Sequence, residues 1–446
     1  MYRRLIFIAL LAIPGAFVQA QQSLPQVDAK TYELFQQGAW DRLIEEGNKA
    51  IQQGIDFYYL RVRMGIAHYE KRNYHAAIRH FEKARKLNDS ESYVQEYLYY
   101  ANLFSGRSAE AKVIAAGFDP VLKKKTGIEK LPVVSRLDLA YNFTGQIDPS
   151  VIEDFNPDVP IGTDGSQFIP DYHHYYFGGL GLDLSPRFSI YQGYSYLQVS
   201  HLLYSQSANE QILDKTFASS VHQYYVAANL LIGKGLTLLG GLHFVRRIFP
   251  VTSTITSGPP GPSVESTVIS NAGENDLTGF VSLYKRLNRV TIGASYYRGS
   301  LGNFTQNQAD GKVIIFPFGN LNLYTASTAS LHQQDFGGGN NSANFVFDQQ
   351  IGLKTTRWLW VEGYGTFGNM NNFFMNDGLL VFNRMDTIKQ RLGGRLLILP
   401  SSNLKLTLDY TLFQNQSEFF PVSAGENLNT QTYNTQAITG IITWTF

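Results

Sequence analysis

Two hydrophobic periods divide the chain. Through Tyr32–Leu43, Tyr58–Tyr69 and Tyr93–Phe104, apolar residues return every three or four positions, with glycine or Asn-Asp punctuation between the runs. That spacing is one face of an α-helix and predicts a helical region. Beyond residue 131 the period becomes two. Leu236, Leu238, Gly240, Leu242 and Phe244 interleave with Thr237, Leu239, Gly241, His243 and Val245. Leu404, Leu406, Leu408, Tyr410 and Leu412 do the same with Lys405, Thr407, Asp409, Thr411 and Phe413. Successive strand residues point to opposite faces, so these runs predict strands with one lipid-compatible face and one facing an interior. Tight turns are expected at 185–187, 233–235, 287–289, 318–320, 355–357 and 401–403. Longer polar loops are expected at 144–170, 205–214, 250–274, 302–311, 333–343, 369–385 and 416–431. Six turns and seven loops join about 14 strands, an even number that suits a closed antiparallel barrel. The 311–332 stretch reads as one strand or two, which leaves the count open by two.

Charge changes at the same place. Residues 21–130 hold 17 Lys or Arg and 14 Asp or Glu in 110 positions, whereas residues 131–446 hold only 18 and 22 in 316. The expected domains are a signal peptide over 1–20, a helical domain over 21–120, a linker over 121–131 around Lys123-Lys124-Lys125-Thr126-Gly127, and a barrel over 132–446. In the first of these, Arg3 and Arg4 precede the apolar run Leu5–Val18, and Val18-Gln19-Ala20 offers a cleavage site before Gln21. The flanks do not extend a twin-arginine motif, and no cysteine follows to take a lipid. After this segment no apolar run approaches the ~18 residues of a spanning helix. A net charge of +1 gives no field for nucleic acid, and the absence of cysteine excludes disulfides, Cys-zinc sites and thiol catalysis. Charged residues are 16% of the chain, beside 27 Tyr, 30 Phe and 40 Gly, a composition that fits a transmembrane β-barrel better than a soluble β-sandwich.

The helical region also repeats. Slid along itself by a fixed offset, it aligns Phe35, Tyr69 and Leu103, then Trp40 with Tyr74, Leu43 with Ala77 and Ala111, and Ala50 with Ala84; Gly38 and Gly106 lie two offsets apart. The offset matches the helix–turn–helix unit of about 34 residues that tetratricopeptide repeats use. The region resembles such an array, with about three divergent units over 28–117. Gly65, Ala77 and Ala84 are the small residues of the middle unit, with Tyr69 and Phe81 between its helices; Arg61, His68 and Asp89 depart from the pattern. The competing reading is a plain stack of helical hairpins. The last strand, with Ile438, Gly440, Ile442, Trp444 and Phe446 on one face, resembles the signal read by bacterial outer-membrane barrel assembly machinery. The whole plan is similar to tetratricopeptide–barrel fusions that export exopolysaccharide, and Ile314-Ile315-Phe316-Pro317-Phe318-Gly319-Asn320 resembles a run in Bacteroidetes-type barrels.

Candidate chemistry is sparse. His68, His75 and His80 fall at spacings of 7 and 5, not the i, i+4 spacing of a metal pair on a helix. His173 and His174 are neighbours on a strand and face opposite ways. Ser200-His201 and Ser219-Ser220-Val221-His222 put hydroxyl beside imidazole, but no acid is evidently placed to orient either ring. In the 387–399 strand, Lys389, Arg391 and Arg395 share one parity; with Glu362 and Asp409 they are expected inside the barrel, because a charge facing lipid costs about 2–4 kcal/mol at mid-bilayer. They form either an anion-selecting constriction or an ion-paired brace. Asp148, Glu153, Asp154, Asp158 and Asp164 crowd the 144–170 loop without the spacing of an EF-hand. No nucleotide-binding glycine motif occurs, and no cofactor or metal is expected.

The sequence therefore predicts a non-enzymatic protein of a Gram-negative outer membrane, its helical domain in the periplasm. Outer-membrane lipid, the barrel assembly machinery and an unidentified periplasmic protein are the expected partners. The last docks on a helical face carrying Tyr59, Arg63 and Glu70, and the barrel serves as scaffold and as conduit for polymer or solute. The alternative is an outer-membrane hydrolase or acyltransferase using His201 or His222.

Overall fold

Each helical run becomes a helix, and the repeat seen in the sequence reappears in space. The computed structural model describes residues 23–446, apart from 90, 129, 131, 156–158, 161–162, 164, 207–210, 258–263, 303, 338–340, 385 and 422–429. The expected signal peptide, with Arg3 and Arg4, lies outside the described residues, as do Asp158 and Asp164. Helices α1 (Leu24–Gln36), α3 (Tyr58–Glu70) and α5 (Ser92–Phe104) begin at equal intervals along the chain. Helices α2 (Trp40–Gln52), α4 (Tyr74–Leu87) and α6 (Ser108–Ala116) begin at the same interval. The turn inside each pair uses one left-handed residue, Gly38, Arg72 and Gly106, spaced by that interval again. Only glycine takes this conformation at no steric cost, so Arg72 carries some strain. The helix pairs close on small residues: Ala77 and Ala84 are fully buried, and a Cβ on Gly65 would sit 2.6 Å from the Phe81 ring. Leu34, Leu43, Leu60 and Met64 fill one layer, and Val62, Ile78, Phe81, Val94 and Leu98 the next.

The expected linker holds a further helix, α7 (Pro120–Thr126), capped by Asp119, whose carboxylate accepts from Leu122 N at 2.8 Å. Its lysines lie in the last turn, where the helix dipole favours cations, and left-handed Gly127 ends it.

The second half is a closed antiparallel meander. Its fourteen strands are β1 (Val134–Gln146), β2 (Gly165–Ser185), β3 (Phe188–Gln206), β4 (Gln211–Gly233), β5 (Leu236–Ser257), β6 (Val264–Leu287), β7 (Val290–Leu301), β8 (Phe304–Ile315), β9 (Leu323–Asp335), β10 (Asn341–Lys354), β11 (Leu359–Met370), β14 (Thr387–Ile398), β15 (Leu404–Glu418) and β17 (Thr430–Thr445). Each pairs with its neighbour, and β17 closes on β1 from Arg136↔Thr445 to Gln146↔Thr435. Three short strands, β12 (Phe373–Met375), β13 (Leu380–Phe382) and β16 (Phe420–Pro421), and a one-turn helix α8 (Ser150–Glu153) sit in the connections.

Alternation does what it predicted. Leu242, Val281, Ile351, Leu408 and Ile442 stand exposed outside, while Thr278, Gln308, Thr366, Asn415 and Thr435 are buried inside. The 12 residues of β7, and likewise of β8, span about 40 Å at ~3.3 Å per residue, enough to cross an apolar band of ~25 Å when tilted. Strand β6 has 24 residues, so the β2–β6 wall rises far beyond the β7–β8 wall.

All six tight turns fall where expected. The loops are shorter than expected: only 302–303 join β7 to β8, and most of 250–274 is β-ladder. Above the apolar band both faces of a strand meet water, so alternation fades although the strand continues.

The helical domain is seated on the tight-turn end of the barrel. His75 N donates to Gly319 O at 3.1 Å, and the His75 ring meets the Asn288 carbonyl and Phe316. Asn320 Nδ2 donates to Arg72 O at 2.9 Å. Arg286 lies 3.4 Å from Glu110, and Lys112 pairs with the buried Asp183. The α3–α4 turn, α4 and α6 thus reach four turns or strand ends of the barrel.

Candidate functional site: a stoppered lumen

The β11–β14 connection, expected as an external loop over 369–385, folds its residues 373–382 into the lumen. Strands β12 and β13 pair as a hairpin whose tip, Asn376-Asp377-Gly378, is left-handed at all three residues. Its side chains and backbone are held by the opposite wall. Ser282 Oγ donates to Asp377 Oδ1 at 2.7 Å, and Tyr284 OH donates to the same oxygen. Tyr225 OH donates to Asp377 O at 2.9 Å, and His243 Nδ1 to Gly378 O at 2.6 Å. Gln308 binds the Phe374 backbone twice, at 2.8 and 3.0 Å, as a neighbouring strand would. Phe374 stacks on Tyr297 at 5.6 Å, and Tyr297, Phe280 and Tyr225 continue the stack around the wall. Eight strands are enough for side chains to fill a barrel; at fourteen the walls stand too far apart, and the hairpin occupies the excess.

Nearer the turn end lies the charge cluster. Arg395 Nη1 is 3.0 Å from Glu362 and its Nε 2.8 Å from Asp409. Tyr324 donates to Glu362; Tyr364 and Thr411 donate to Asp409 at 2.6 and 2.8 Å. Arg391 meets no carboxylate among the described residues: it lies 4.4 Å over the Tyr364 ring and reaches Met375 Sδ of the hairpin at 3.8 Å. Lys389 does not join them. A bulge between Ile388 and Gln390 shifts the register there, so Ile388 is buried among Met370 and Phe373, and the shared parity of 389, 391 and 395 is broken. One cation between two carboxylates makes a brace, not an electropositive ring.

The other expected residues are placed as follows. Tyr59 and Glu70 are exposed, but Arg63 turns back to α1, bonding Asp28 at 2.7 Å and Thr31 at 3.0 Å, and is not free to meet a partner. Arg61, where tryptophan is usual, is buried and grips Asp56 through two 2.6 Å bonds, with His80 Nδ1 3.3 Å away. His68 and His80 stack at 5.2 Å, while His75 lies apart on the barrel turns. Burial holds all three rings well below the usual histidine range, His68 and His75 to about 4 and His80 to about 3.

His222 faces outward, 2.8 Å from Tyr194 OH. His201 Nδ1 is 3.5 Å from Ser219 Oγ, too long for an activated pair, and no carboxylate among the described residues bonds the imidazole. Asp148 is used locally, accepting from Ser150 N at 3.0 Å. No cluster of three or more metal-ligating side chains is found among the described residues, and no described helix is long and apolar enough to cross a membrane. Ile438, Ile442, Trp444 and Phe446 stand exposed on the outer face of β17 and just past its end.

No protein-family model matches the chain, and no curated protein does. Among solved structures it is similar to a Pseudomonas aeruginosa FadL homologue, at 10% identity and TM-score 0.41 over 77% of this chain and 97% of that one. It is similar to the Ralstonia pickettii toluene transporter TbuX, at 9% identity and TM-score 0.45 over 71% and 90%. A bacterial polysaccharide outer membrane secretin matches at 9% identity and TM-score 0.35 over 71% and 100%. Values so low leave the role of the chain to its own geometry.

Proposed function

We propose that the protein is a non-enzymatic outer-membrane conduit, closed in this state by its 373–382 hairpin and served at its inner mouth by the helical domain. The observation that carries this is the stopper. A barrel needed only as an anchor has no use for a wide lumen; here the 373–382 hairpin is committed to filling one. The apolar outer band and the polar interior support the membrane placement. The helix–turn–helix period supports reading the helical domain as a tetratricopeptide-like array in the periplasm. A partner that delivers or receives cargo docks on its free faces, Tyr59 and Glu70 included.

Planar-bilayer recording tests the conduit. The wild-type protein is expected to be mostly closed. Asp377→Ala removes the acceptor of Ser282 and Tyr284 and is expected to lengthen openings severalfold. Replacing 373–382 with a two-glycine turn should leave the pore open. If all three insulate while remaining folded, the barrel is not a conduit.

A further inference from the structure

The outside of the barrel holds a second site. An apolar groove of about 620 Å³ crosses β14, β15, β17, β1, β2 and β3, lined by Ile398, Leu408, Ile442, Leu139, Tyr141 and Tyr194. Its floor is open because two outward positions lack side chains. Gly440 sits beside Tyr141, and Gly178 beside Leu139. A Cβ at Gly440 would meet nothing within 4 Å, and one at Gly178 only Leu139 Cδ2 at 4.0 Å. These glycines are therefore not demanded by packing within the chain; they leave room for something else.

The two ends of the groove differ. Ile398, at the tight-turn end, pairs with Leu359, and Leu399 N donates to Trp358 O. Arg357 and Trp358 stand exposed in that turn. At its other end the groove is lined by Tyr176, Tyr194 and Tyr196 of the outer wall. An occupant must be apolar along its length and tolerate a cation and an indole at one end. Tryptophan favours the membrane interface, and arginine binds phosphate. A second barrel presents a convex wall that does not enter a concave groove, whereas a hydrocarbon chain does. The volume lies within the ~300–1,000 Å³ that ligand sites enclose.

We propose that this groove binds one phospholipid of the leaflet on the tight-turn side, its acyl chain over Gly440 and Gly178 and its phosphate at Arg357. The site rests on the reading of the barrel as membrane-spanning. Native mass spectrometry of the full chain released into mild detergent tests it, using wild type, Gly440→Phe and Arg357→Gln. Wild type should retain one adduct of phospholipid mass. Gly440→Phe fills the open space and should lower its occupancy at least tenfold with unchanged thermal stability. Arg357→Gln should lower it severalfold and relax any preference for anionic headgroups. Equal occupancy in Gly440→Phe overturns the proposal, as does a wild-type protein carrying no adduct or only a second copy of the chain. Flotation with phospholipid vesicles separates the two readings. A protein that floats but carries no lipid refutes the groove alone, and one that does not float refutes the membrane placement beneath it.

Discussion

Arg395 illustrates how the lumen treats charge. Two carboxylates and one guanidinium share a low-dielectric wall, each carboxylate further bonded by a tyrosine. Such a brace contributes little over an apolar replacement, but removing one partner strands the others. Arg395→Met should lower stability by about 3–5 kcal/mol, read from unfolding midpoints in detergent, and the triple variant with Glu362→Gln and Asp409→Asn should recover most of it. If the single variant matches wild type, the ion pairs are not formed. The histidines make a separate prediction. His68, His75 and His80 titrate far below 6.5 because they are buried, with Arg79 and Arg107 among the cations that add to the effect. Between pH 6.5 and about 4 the unfolded chain binds protons that the folded domain refuses. Stability of the helical domain is therefore full above 6.5 and lost as pH falls through that window. Helical circular dichroism melts taken from neutral to mildly acidic pH should show a falling midpoint, and replacing all three with Gln should flatten the curve. A midpoint that rises on acidification contradicts the burial.

At the scale of elements, sequence and structure agree where one physical signal acts alone. The register of the helical repeat was legible because each helix pair must bury the same face, and Gly38 and Gly106 marked two of its three turns; Arg72 hid the third. Gly106→Ala should destabilise the domain by about 1–2 kcal/mol from its left-handed backbone, and its Cβ would also press on Leu321 of the barrel at 3.1 Å. Calorimetric melts of the full chain check this, with Gly54→Ala as a comparison at a left-handed position where a Cβ meets nothing. A loss no larger than that of Gly54→Ala would leave the Leu321 contact without weight. Fourteen strands were countable because turns interrupt alternation. The hairpin was not legible, since Phe373-Phe374-Met375 and Leu379-Leu380-Val381-Phe382 are too short to read as barrel strands and the Asn-Asp-Gly between them reads as a loop. The cluster around Arg395 was half legible: parity put Glu362, Arg391, Arg395 and Asp409 inside, but the bulge that removes Lys389 leaves no mark in the pattern.

The whole molecule turns on how its halves meet. A repeat domain on a free linker would act as a tethered hook, sampling partners independently of the barrel. Here the α3–α4 turn, α4 and α6 are bonded to turns and strand ends that belong to β2, β6 and β8, so the domain is fixed at one end of the barrel. On the conduit reading, cargo must then pass beside the domain or shift it. A well-buried polar link is Lys112 with Asp183, whose side chain is only 5% exposed. Breaking it leaves a carboxylate desolvated without a counter-charge, which weakens docking without touching either hydrophobic core. Lys112→Glu should raise hydrogen exchange at the His75 amide and speed proteolysis after Gly127, while the barrel keeps its thermal stability. The charge swap Lys112→Asp with Asp183→Lys should restore protection. Equal exchange in wild type and Lys112→Glu would mean that this ion pair does not hold the domain on the barrel.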